Sequence, residues 1–132
     1  MSSIEEDIKD LLEISPTLGL IFPTNLFIGL LPDKPIIATA LRTGPGRPSQ
    51  DNNDIQYDYY MLEVVSRGVN YNTVSQLMQD IKTYLTSLCG TTVGEARYIV
   101  LRAITPPFLY EYSENNQPVF SMIIEIQRQI AN

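Results

Sequence analysis

The sequence predicts an α+β fold: a mainly antiparallel sheet, with mixed pairing allowed, of four to five strands packed with two helices. Three observations carry this. Ile55 to Leu88 reads as one long strand, a tight turn at Arg67-Gly68 and one amphipathic helix. Val119 to Ile130 alternates apolar and polar residues, with Ile123 the exception, the period-two signature of a half-buried strand. The element order (helix, hairpin, long loop, strand, helix, hairpin) is met most simply by a sheet carrying helices.

The first helix opens at Ser2-Ser3. Both serines have a glutamate three residues on, Glu5 and Glu6, the spacing of a capping box. Ile4, Ile8, Leu11 and Leu12 form a narrow apolar stripe, and Glu5, Glu6 and Asp7 sit where the helix dipole favours carboxylates. Pro16 pushes Ser15 out of the helical region, so the helix stops near Ile14. Leu18 to Phe22 reads as a covered connector or a short extended piece. Leu26 to Leu31 and Ile36 to Arg42 read as two strands of a hairpin, turned by Pro32-Asp33-Lys34-Pro35.

Thr43 to Asp54 is the largest break. From Gly44 onward it holds two glycines, two prolines and no apolar side chain, so it reads as a mobile solvated loop. It lacks the lysine and hydroxyl spacing of a phosphate-cradling loop. Asp51 and Asp54 are too few oxygen donors for a hard cation. The strand that follows carries Tyr57, Tyr59, Met61, Glu63, Val65 and Arg67 on one face. Asp58, Tyr60, Leu62, Val64 and Ser66 lie on the other. Both faces are apolar in the middle, which predicts a strand covered on both sides. Its tyrosines suit core and interface packing better than base stacking, because no basic residues are interleaved.

Gly68 is expected to supply a positive φ at the turn, and Asn70 or Asn72 to cap the second helix. Val74, Leu77, Met78, Ile81, Leu85 and Leu88 keep helical spacing, with Gly90 as the left-handed stop. Cys89 reads as a small, at least half-buried apolar residue. Tyr98 to Ile104 is a further strand ended by Thr105-Pro106-Pro107, with Phe108 to Tyr112 as a short extension. In the final strand Phe120, Met122, Ile124, Ile126 and Ile130 share one face.

Length and composition bound the function. The 132 residues predict a single domain, 1–132, large enough for its own core. The balance of 9 basic to 15 acidic residues, net −6, argues against gripping duplex DNA. With one cysteine no internal disulfide forms, and a reducing compartment fits. The N-terminus is acidic and amphipathic rather than signal-like, and no apolar run approaches a membrane span. There is no histidine, so the commonest general base and metal ligand are missing. The sequence predicts no catalytic, metal or cofactor residues, and no enzyme.

The arrangement resembles the minor capsid or tail-terminator (tail-completion) proteins of long-tailed bacteriophages. The residues that carry the likeness are Phe27-Ile28-Gly29-Leu30-Leu31-Pro32 and Leu41-Arg42-Thr43-Gly44-Pro45. Leu62-Glu63-Val64-Val65-Ser66-Arg67-Gly68 with Tyr71 and its helix, and the strand from Pro118-Val119-Phe120-Ser121-Met122, continue it. The polar insert Ser49 to Asp54 departs from the pattern. The resemblance implies a structural virion protein that closes the head-proximal end of the tail tube as a ring, usually of six. It implies partners in the tail tube protein, the head-completion or connector protein and further copies of itself, with DNA passing the lumen without specific binding. Its place would be the virion tail or neck, after assembly in the host cytoplasm. The alternatives are a head-completion or neck ring protein, and a non-viral adaptor that adds peptides at a sheet edge. Candidate assembly residues are Arg42, Arg47, Asp51, Asp54, Tyr57, Tyr59, Arg67 and Tyr71. Reversing Arg67 or Arg47 is expected to weaken assembly without changing the circular dichroism spectrum.

Overall fold

A computed structural model describes residues 3–52 and 55–131, with side chains described outside 45–56 and 130–131. Its element order is α1 (Ile4–Ile14), β1 (Leu26–Ile28), β2 (Ala38–Asn52), β3 (Ile55–Arg67), α2 (Tyr71–Thr86), β4 (Thr91–Val93), β5 (Ala96–Tyr112) and β6 (Pro118–Ala131). The six strands form one curled sheet in the order β1-β2-β3-β6-β5-β4. All neighbours run antiparallel except β1 and β2. The class is α+β as expected, with more strands than the four to five predicted and a mixed sheet.

Helix ends follow the local chemistry. Ser3 caps α1, its hydroxyl accepting the Glu6 amide at 3.2 Å, and Asn70 caps α2 through the Thr73 amide at 3.1 Å. Gly90 sits at φ 89 beyond α2 and hands the chain to β4. Gly68 is needed for a different reason from the one expected. Its φ is not positive; a Cβ there would lie 2.4 Å from Val74 Cγ2, so the close approach of turn to helix excludes a side chain.

Both helices cover the same face of the sheet. Ile8, Leu11 and Leu12 of α1 and Met78, Ile81 and Leu85 of α2 join Leu62, Val64, Met122, Ile124 and Ile126 in one buried core. Side chains alternate across a strand, so the odd-numbered residues of β3 and β6 point away from the helices. There Tyr57, Tyr59, Met61, Glu63, Ile123, Glu125 and Gln127 are only half-buried. The expectation that β3 is covered on both sides is therefore corrected. Only its Val65–Arg67 end is covered on the second face, where Arg67 reaches the backbone of the Pro32–Ile36 loop.

Four further expectations change. Leu26–Ile28 and Ala38–Leu41 do not form a hairpin; they pair in parallel, Leu26 opposite Thr39. Gly29, at φ 89, turns the chain off the sheet after three residues, and a nine-residue loop returns it to the same end. The loop expected at Thr43 to Asp54 is not a loop as far as Asn52. It continues β2, pairing Arg47 with Tyr59 and Asn52 with Ile55 across two register shifts. Period and composition hid this, because the shifts let glycine and proline sit where the ladder is interrupted. Asp54 lies outside the described residues. Finally, β5 does not stop at Pro106-Pro107. It runs on to Tyr112 through register shifts at Ala103/Thr105 and Thr105/Phe108, and Thr105 Oγ1 accepts the Ile123 amide at 2.9 Å in place of a backbone carbonyl. The prolines are tolerated because β4 pairs only Ala96–Tyr98, and among the described residues the outer side of β5 beyond them has no partner strand.

Candidate assembly surfaces

The uncovered sheet face is built from strand parity. Along β3 it carries Tyr57, Tyr59, Met61, Glu63, Val65 and Arg67. Arg42 of β2 lies opposite Glu63 and binds it, Nη2 to Oε1 at 2.7 Å, while Ser121 Oγ of β6 donates to Glu63 Oε2 at 2.8 Å. Arg102 of β5 makes a second cross-strand pair with Glu125 of β6. Between these pairs lies a groove of about 510 Å³ lined by Gly44, Met61, Glu63, Ile104, Thr105 and Ile123. Its lining is mostly apolar, with Glu63 the one charged residue among those named. Such a surface suits a protein neighbour better than a polar small molecule.

Among the candidate residues, Arg42 and Arg67 come together. Both line a smaller depression of about 280 Å³ that also includes Leu30, Val65 and Tyr110. Tyr57 and Tyr59 continue the same face, half-buried, with Gln127 Nε2 donating to the Tyr59 hydroxyl at 3.3 Å. Tyr71 stands apart. It begins α2, is 49% exposed, and packs edge-on against Phe120 at 4.9 Å between ring centroids. Arg47 and Asp51 are placed by backbone only, opposite Tyr59 and Gln56.

Arg67 is not a solvated strand-end charge. It is 8% exposed, and its guanidinium donates to the carbonyls of Pro32, Pro35 (2.8 Å) and Ile36 (3.0 Å). The fork holds the loop between β1 and β2, which exposes Leu30, Ile36 and Ile37. Arg67 is thus tied into the fold through the loop whose backbone it binds. Cys89 is also corrected. It is exposed, and its sulfur lies 3.4 Å from the Leu101 amide nitrogen and 3.5 Å from the Leu101 carbonyl oxygen, occupying the outer side of β5 just past β4.

One polar cluster escaped the sequence reading altogether. Asp7, Asp58, Tyr98 and Arg128 meet beneath the N-terminal turns of α1, each at most 5% exposed. Arg128 Nη2 lies 3.0 Å from Asp58 Oδ2 and Nη1 lies 4.0 Å from Asp7 Oδ2, while the Tyr98 hydroxyl donates to Asp7. Burial pushes the Tyr98 phenol well above its ordinary value, helped by the hydrogen bond to Asp7 and its charge; Arg128 opposes this. Burial works against the Arg128 cation, but its bonds to Asp58 and Tyr98 outweigh that and hold its pKa above the usual value. Parity carries a signal that could have found the cluster. Arg128 occupies an apolar-face position of β6, Asp58 shares the Leu62 face of β3, and Asp7 falls within the Ile4–Ile8–Leu11 stripe. These contacts tie α1 to β3, β5 and β6. Among the described residues no group of histidine, cysteine and carboxylates is placed to hold a metal ion.

No family model matches the sequence, and no curated protein matches it. Five chains of solved structures match the fold. One of them is a chain of the virion of a native gene transfer agent (GTA) particle. It is 11% identical, with a TM-score of 0.63, and the match covers 96% of this chain and 95% of that chain. At that identity the likeness is one of fold, and it runs from end to end: this chain folds as a chain of that particle does.

Proposed function

We propose that the chain is a structural virion protein, a ring-forming tail terminator that caps the head-proximal end of a phage tail tube and joins it to the head connector. The observation that carries this reading is the end-to-end fold shared with a chain of the virion of a gene transfer agent particle. The surfaces support it. Among the described residues the sheet keeps one face free of helices, its β5 edge has no partner strand beyond Tyr98, and Ile104, Phe108, Tyr110 and Tyr112 are exposed along that edge. Head-to-tail contacts between unlike faces close a ring. A net charge of −6 suits a lumen that must pass DNA without binding it. The partners are further copies of the chain, the tail tube protein and the head connector, and the site of action is the virion after assembly in the host cytoplasm. Among the described residues no helix is long and apolar enough to cross a membrane.

The purified protein is expected to be a hexamer, or a monomer that becomes hexameric on tail tubes. Native mass spectrometry and negative-stain images of the protein alone, with tubes and with connectors read this directly. Rings on tube ends support the terminator role. Rings bound only to connectors transfer the chain to the head-completion role. A monomer that never rings and captures peptides at the β5 edge ends the reading in favour of an adaptor.

A further inference from the structure

Two kinds of contact seat α1 on the sheet. Its apolar stripe, Ile4, Ile8, Leu11 and Leu12, enters the core where the helix packs over β1 and β2. Asp7 lies in the same buried stripe and is the one charged residue there. Its carboxylate accepts a hydrogen bond from the Tyr98 hydroxyl of β5 and lies 4.0 Å from Arg128 Nη1 of β6, whose Nη2 reaches Asp58 of β3 at 3.0 Å. One turn of the helix is thus joined to three strands by polar groups.

The apolar contacts leave open where α1 rests along its own axis. Ile4, Ile8 and Leu12 recur every four residues, close to one helical turn. A slide of four residues, about 6 Å toward the C-terminal end of the helix, puts Ile4 in the place of Ile8 and Ile8 in that of Leu12. The Tyr84 hydroxyl, which donates to the Leu11 carbonyl at 2.6 Å, does not prevent this, because every turn offers a carbonyl. Other slides fail on the sequence itself. Four residues the other way carries Ser15 and Pro16 into the places of Leu11 and Leu12, where proline breaks the helix. Three residues either way sets Asp7 in the place of Ile4 or Glu5 in that of Ile8, a carboxylate among core residues. Against the one remaining slide stands Asp7. It would enter the apolar place of Leu11, and Ser3 would face Tyr98 and Arg128 in its stead.

We propose that the Asp7–Tyr98–Arg128–Asp58 cluster is a register lock, which selects one of two seats that the apolar stripe offers α1. Buried ion pairs add little net stability over apolar residues of similar volume, but a buried charge parted from its partner is costly. The cluster therefore acts mainly by penalising the wrong seat. A one-turn ratchet of a packed element past its neighbours is an established kind of two-state rearrangement. The seat also fixes what this end of the molecule displays. Glu13 Oε2 accepts the Phe22 amide at 3.2 Å and Lys9 lies 4.8 Å over the Phe22 ring, so the exposed corner of Ile14, Ile21 and Phe22 is bound to the position of α1. Nothing in this lock depends on ring assembly.

The test measures where α1 sits. Spin labels are placed in pairs at exposed positions in a Cys89→Ser background: Glu6→Cys of α1 with Gln79→Cys of α2, and Glu6→Cys with Thr92→Cys of β4. With the cluster intact, double electron–electron resonance should give one narrow distance for each pair. With Asp7→Leu, Asp58→Leu, Tyr98→Phe and Arg128→Met together, the chain should stay folded by circular dichroism, and at least one pair should split into two distances up to about 6 Å apart. A second variant, Ser3→Asp with Asp7→Leu, moves the carboxylate back by one turn. There α1 should settle in the second seat and show the new distance alone, because the slide brings that carboxylate to Arg128. A single unshifted distance in both variants overturns the lock, since the apolar stripe then sets the seat unaided. A broad distribution with fast hydrogen exchange throughout α1 overturns it too, because the cluster would then hold the helix down rather than choose its position. If the four-fold variant does not fold, the second variant decides; loss of fold in both overturns the lock, as no second seat then exists.

Discussion

Replacing Arg128 with methionine is expected to destabilise the protein by about 3–5 kcal/mol, the range for removing one partner of a buried ion pair. The loss comes from what remains. Asp7 and Asp58, 2% and 4% exposed, would lose the guanidinium that lies beside both. Replacing the cluster as a whole, with Asp7→Leu, Asp58→Leu, Tyr98→Phe and Arg128→Met together, should recover most of the stability. An apolar set of similar volume carries no desolvation cost. Urea denaturation followed by far-ultraviolet circular dichroism measures both. If the single variant matches the wild type, the cluster is not holding α1. The same cluster sets a pH dependence. The Tyr98 phenol is held above its ordinary value of 10.0, so the folded state keeps a proton that the unfolded chain releases. Its contribution is fully present below the unfolded value and is lost as pH rises beyond it, by about 1.4 kcal/mol per pH unit at most. The urea midpoint of the wild type should therefore fall above about pH 10, and Tyr98→Phe should flatten that fall.

Arg67→Ala is expected to cost about 3 kcal/mol, because charge-assisted bonds to three carbonyls disappear at once. The damage should concentrate in residues 29–37. Hydrogen exchange there should accelerate before any change in α2 or β6, since the core does not include that loop. Arg67→Lys should recover only part of the loss, as a single ammonium cannot present the planar fork that reaches Pro32, Pro35 and Ile36 together. Arg67→Glu should be worst, placing a carboxylate against carbonyl oxygens. Self-association should weaken in step with the disorder of the loop, which exposes Leu30 (74%) and Ile37 (56%). If Arg67→Glu leaves exchange in 29–37 unchanged yet weakens assembly, Arg67 acts as a contact residue in its own right.

These two arginines mark how far periodicity reads a chain. The regular alternation of β6 gave its element type and its core face, since Phe120, Met122, Ile124 and Ile126 are all buried. It passed over Arg128, because a charged residue at an apolar position looks like noise until its partners are known. Those partners come from α1, β3 and β5, as many as 121 residues away along the chain. The same limit applies to candidate sites. Arg42 and Arg67 were named as assembly residues, and they do share a depression. Glu63, Arg102, Ile104, Phe108 and Glu125, which shape the rest of that face, were not. Nothing local distinguishes a half-exposed strand residue on an open face from one beneath a helix.

The sequence by itself determined the α+β class, both helices with a serine and an asparagine cap, and the strand character of β3 and β6, whereas α2 ends at Thr86, four residues before the Gly90 expected to stop it. The features it determined depend on interactions within a few residues: capping bonds, helical spacing and alternation. Only the tertiary structure decided that β1 joins β2 in parallel, that β2 runs through its glycines and prolines to Asn52, that β5 passes Pro106-Pro107, and that one sheet face stays open. The physical reason is that pairing satisfies backbone groups between distant segments. A proline or glycine is tolerated in a strand when the neighbouring ladder is absent or shifted, and that neighbour lies elsewhere in the sequence.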